Sequence, residues 1–102
     1  MKIYAEGEIL YLKPEVDLVA SRIEDIRSAF NTGINEHPDA KAVVLDVTGV
    51  DVVDSLGVNL IIGLYKHVSA KSKSFKITNV DDKVMKVANF FKFSSIFPVE
   101  KR

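Results

Sequence analysis

Cysteine is absent from the 102 residues. This excludes disulfides and thiolate chemistry, and suits a cytosolic protein. Net charge is absent too, with 14 Lys and Arg balanced by 14 Asp and Glu. The total therefore exerts no pull toward nucleic acid or an anionic membrane. Met1 to Pro14 holds no apolar segment of signal-peptide length, and no run approaches the length of a membrane span. Repeats, linkers and low-complexity tracts are missing. Gly57 and Gly63 are not followed by the Gly-Lys that a phosphate-cradling loop requires. His37 and His67 stand apart, without the Cys, Asp or Glu spacing of a metal site. Neither a cofactor nor a metal is expected. A phospho-aspartate receiver would need an acidic pair after the first strand and a lysine after the last, and neither is evident. These absences leave one domain with one modest core.

The most informative stretch runs from Ala42 to Ile62. It opens with a continuous valine-rich run, Ala42 to Leu45, which reads as a strand buried on both faces, as in parallel sheets. A loop with Gly49 and the carboxylates of Asp46, Asp51 and Asp54 follows. The period then turns helical at Asp54-Ser55. Either residue can cap that helix by accepting a hydrogen bond from an unpaired N–H. A serine hydroxyl thus stands where a buried strand hands over to a helix.

Around this stretch, Lys2 to Ala5 and Glu8 to Leu12 alternate as two strands joined by a tight turn. The spacing of Val19, Ile23, Ile26, Phe30 and Ile34 predicts a helix from Leu18 to Glu36. Asp17 can cap it, or Ser21 with Glu24 can form a capping box. His37-Pro38 ends it. The second helix spans Ser55 to about Lys71, and Ser74 to Thr78 forms the next strand. A third helix starts at Val80-Asp81-Asp82, with Val84, Val87, Ala88 and Phe91 inward. Ile96 to Val99 reads as a last short strand. Lys71, Lys73 and Lys76 read as a solvated edge. This alternation predicts an α/β fold, with three main helices on a central, mostly parallel sheet joined by right-handed crossovers. The expected core includes Val44, Leu45, Leu56, Leu60, Leu64, Ile23, Ile26, Phe30 and Ile77.

The strand, the acidic loop and Asp54-Ser55-Leu56-Gly57-Val58 resemble the Asp-Ser-(Ser/Thr)-Gly-Leu motif of STAS-domain proteins. The likeness is greatest to stand-alone bacterial anti-sigma-factor antagonists, and it covers nearly the whole chain. The motif's second hydroxyl is here Leu56, and its second glycine is Asn59. The resemblance implies a STAS arrangement and phosphorylation of Ser55 by a partner anti-sigma factor that is also a serine kinase. It further implies a cytoplasmic, non-enzymatic protein, with a monomer favoured. An acidic residue at the turn before the first helix, Glu15 or Asp17, is placed near Ser55. The alternative within the family is an accessory subunit of a stress-sensing or lipid-transport complex, without a phospho-switch. An enzyme ranks last, because no base accompanies Ser55 in a triad arrangement.

At about 100° per residue, Leu56, Leu60, Ile61, Leu64 and Val68 share one face of the second helix. Asn59, Gly63, Lys66 and Ala70 lie opposite, toward solvent. Between them runs a stripe of Val58, Ile62, Tyr65 and Ser69. Either a neighbouring helix buries that stripe, or it is a protein-binding strip beside Ser55. The expected partner surface comprises Asp17, Asp54, Ser55, Val58, Asn59, Ile62, Tyr65 and Lys66.

Overall fold

A computed structural model covers residues 1–102. Its strands are β1 (Lys2–Glu6), β2 (Ile9–Lys13), β3 (Ala42–Asp46), β4 (Ser74–Val80) and β5 (Val99–Lys101). Its helices are α1 (Ile23–Glu36), α2 (Ser55–Ala70) and α3 (Asp82–Phe90). The five strands form one sheet in sequence order, β1-β2-β3-β4-β5. β1 and β2 pair antiparallel as a hairpin, and every later pair is parallel.

That strand order fixes the layers. Each parallel crossover steps in the same direction across the sheet. Right-handed connections that all step one way place their helices on one face. Leu10, Leu12, Val43, Leu45, Phe75 and Ile77 join the helices in a single cluster of 25 buried side chains. Val44 is also buried but lies outside this cluster, flanked in register by Tyr11 and Lys76. Tyr4 stacks on Tyr11 with ring centroids 5.2 Å apart, on the same alternating set of positions. β3 is thus covered on both sides, but by helices on only one.

Several elements depart from expectation. α1 starts at Ile23, not Leu18. Leu18 instead forms a parallel bridge to Val53. Val19 is extended and Ala20–Arg22 make one 3₁₀ turn. Neither Asp17 nor Ser21 caps α1; Arg22 occupies the cap position without a side-chain hydrogen bond. The last strand is Val99–Lys101, because Phe93–Ser95 make another 3₁₀ turn and Phe97 dives into the core. There Phe97 meets Tyr65, Phe75 and Phe93 at centroid separations of 5.4, 5.0 and 5.3 Å.

Leu56 is not core: it is 45% exposed. The buried side of α2 centres on Gly57, Ile61, Leu64 and Val68, flanked by Val58 and Leu60. The helix is therefore rotated from the face centred on Leu60, turning Leu56 outward and Val58 inward. Gly57 explains the rotation, since a Cβ there would collide with the Leu18 carbonyl oxygen. Only glycine lets the two backbones meet so closely.

Candidate functional site

The site lies at the carboxyl end of β3, where Val47 to Asp54 lead into α2. Two chain segments, Asp17 to Ala20 and Asp51 to Asp54, lie side by side there. Leu18 N–H donates to the Val52 carbonyl at 3.0 Å, and Asp54 N–H donates to the Leu18 carbonyl at 3.1 Å.

Two carboxylates lock this ladder. Asp17 Oδ1 accepts from the backbone N–H of Asp51 at 2.9 Å and of Val52 at 3.0 Å. Those hydrogen bonds, first Asp51 and then Val52, hold the Asp17 carboxyl below its usual pKa, against a small desolvation effect. Asp54 is the N-cap of α2, with Oδ1 accepting from Gly57 N–H at 2.9 Å. Its Oδ2 accepts from Ala20 N–H, also at 2.9 Å. The Gly57 and Ala20 bonds likewise depress the Asp54 pKa. Asp54 therefore orients the loop, and its oxygens are committed to this chain's own backbone.

Asp46 anchors the loop from below. It is the one buried charged residue, with Oδ1 accepting from Thr48 N–H at 3.0 Å and Thr48 Oγ1 at 2.7 Å. Lys13 Nζ lies 3.7 Å from Oδ2. Burial pushes the Asp46 pKa up, but hydrogen bonds from Thr48 and Asn79, with the Lys13 charge, outweigh it and leave it lowered. Gly49 turns the loop at φ +82°, a conformation that L side chains rarely adopt.

With Asp54 as the cap, Ser55 is the first residue of α2, and it is exposed. Val52 and Leu56 are large exposed apolar side chains on either side of it in sequence. Asn59 and Lys66 are exposed on the same helix. The stripe through Val58, Ile62 and Tyr65 is different. Val58 is 6% exposed and belongs to the core. Ile62 and Tyr65 are half-buried and pack against that core. Val58 is thus removed from the expected partner surface, and the neighbouring structure covers most of the stripe. Sequence reasoning missed Val52 and Leu56. The signal for Leu56 was Gly57: a glycine in a helix's first turn marks a close backbone approach and so the inward side.

The STAS domain family model matches residues 1–102, and the chain belongs to that family. Comparison with curated proteins gives no match. Among solved structures, an anti-sigma factor antagonist from Mycobacterium paratuberculosis superposes with a TM-score of 0.85 at 12% identity, over 99% of this chain and 84% of that one. An anti-sigma-factor antagonist (STAS) domain protein from Planctomyces limnophilus gives 0.82 at 17% identity, over 99% and 89%. The anti-sigma factor antagonist SpoIIAA in its unphosphorylated form gives 0.71 at 19% identity, over 99% and 86%. At these identities the likeness is one of fold, and it matches the five-stranded, three-helix architecture.

Proposed function

We propose that this chain is an anti-sigma-factor antagonist: it binds an anti-sigma factor with serine kinase activity and is released when Ser55 is phosphorylated. The observation that carries the reading is exposed Ser55, held one residue beyond a capping carboxylate and bordered by exposed Val52 and Leu56. The loop ladder fixes the backbone that presents it, so a kinase meets a formed acceptor site. In the transfer, Ser55 Oγ attacks the γ-phosphorus of ATP held by the partner. ADP leaves, and the hydroxyl proton passes to a base on the partner. The added phosphate carries nearly two negative charges beside Asp54. With the helix N-terminus already capped by that carboxylate, the phosphate must be desolvated or repelled when the partner closes over it. Release follows from the interface, while the fold is unaffected. The role is a binding one, in the cytoplasm and as a monomer.

The test is incubation with the candidate kinase and ATP, followed by intact-mass analysis and a binding titration. The expected result is one phosphate on Ser55 with loss of affinity. Ser55→Ala should bind and resist release by ATP, and Ser55→Asp should bind poorly. Phosphate on another residue, or on Ser55 without loss of affinity, overturns the switch. Tight binding without any phosphorylation moves the reading to a STAS accessory subunit.

A further inference from the structure

Phe90 is 79% exposed, the most exposed large apolar side chain of the molecule. It ends α3, and the next residue, Phe91, is 43% exposed and packs edge-on against it at a centroid distance of 5.0 Å. At helical spacing Phe90 shares the solvent stripe of α3 with Lys83 and Lys86, and exposed Lys92 follows the pair. No ion pair engages Lys86 or Lys92, whereas Lys83 approaches Asp51 at 3.9 Å. Phe90 protrudes, while Phe91, expected to face inward, is only partly covered and packs on buried Phe93 with ring centroids 6.4 Å apart; exposed Lys86 and Lys92 neighbour the pair along the chain.

The neutral total conceals a basic second half: residues 55–102, which include α3 and the residues after it, hold nine Lys and Arg against Asp81, Asp82 and Glu100.

We propose that the patch formed by Phe90, Phe91, Lys86 and Lys92 docks peripherally on an anionic lipid bilayer. Side chains that stand proud of the surface suit a fluid interface, which accepts them without a complementary pocket. Phenylalanine enters the boundary of headgroup and acyl chain while lysines meet anionic headgroups. A nucleic acid duplex, whose bases are stacked inside, would reward the lysines alone. The patch contains neither Ser55 nor its exposed neighbours Val52 and Leu56, and the proposal does not depend on the proposed switch.

The experiment is co-sedimentation of the full chain with phosphatidylcholine vesicles, with and without phosphatidylglycerol. The expected result is binding only to vesicles that contain phosphatidylglycerol, weakened by added salt. Phe90→Ser with Phe91→Ser should weaken it by about tenfold or more. Lys86→Glu should also weaken it and, lying on the exposed face, keeps the fold should the double variant melt early. Absence of binding to the anionic vesicles overturns the proposal. So does equal binding to pure phosphatidylcholine, or binding that is indifferent to Phe90→Ser. Preference for a duplex oligonucleotide over the vesicles assigns the patch to nucleic acid and overturns it as well.

Discussion

Asp17 and Asp54 each accept two backbone N–H groups, and together they tie the segment before α1 to the segment before α2. With Asp46, they are the carboxyls held below their ordinary value. A carboxyl whose pKa is lower folded than unfolded contributes stability that is complete above the unfolded value. That contribution is lost as pH falls through the folded one. Stability in urea should therefore be level near neutrality and fall below about pH 4. Asp17→Asn should be less stable at neutral pH and show a shallower acid decline, so that the two curves converge. Parallel curves would mean that Asp17 contributes nothing beyond its uncharged shape. Gly57 is the other decisive residue. Gly57→Ala should cost about 1–3 kcal/mol or more in denaturant melts, because the Leu18 carbonyl must move. A neutral result would remove the close approach as the cause of the helix's rotation.

α2 shows what can and cannot be read from periodicity. Its start at Ser55, its length and the burial of Leu60, Ile61, Leu64 and Val68 follow from spacing alone. Its rotation does not, because a hydrophobic run of 56, 58, 60, 61, 62 and 64 is apolar over too broad an arc to name one face. A tertiary contact at Gly57 settles it. The same competition shortened α1: Val19 lies on the apolar stripe, but Asp17 gives its oxygen to another loop and the backbone stays extended. These placements separate packing from recognition. Leu60→Ala should cost about 2–5 kcal/mol, while Leu56→Ala should stay within about 0.5 kcal/mol. Leu56→Glu should then abolish binding to the anti-sigma factor proposed as partner, at an unchanged melting temperature. Val58→Glu should fail in the melt itself. A stable Val58→Glu protein that has lost only its partner would restore the stripe as a docking surface.

At the scale of the molecule, the strand order places every helix on one side. The alternating pattern of β2 and β4 foreshadows this in residues such as Tyr11 and Lys76, whose amphipathic side chains cover a sheet face without excluding all water. The pattern within β3 did not, because Val44 is as apolar as Val43 and Leu45. Its burial comes from strand neighbours, not from a helix. One-sided layering has an energetic signature. Phe75 faces the helices, buried in contact with Phe97 and Tyr65, and Phe75→Ala should cost about 3–5 kcal/mol because a rigid cavity remains. Tyr11 is half-buried on the helix-free face against Tyr4. Its removal leaves space that water reaches, so the cavity contribution is absent and only the transfer and stacking contributions are lost. Tyr11→Ala should thus cost well under half as much as Phe75→Ala in parallel urea titrations. Equal losses would require a second buried layer over Tyr11 in solution, such as a further copy of the chain. A concentration-dependent sedimentation coefficient would then accompany them.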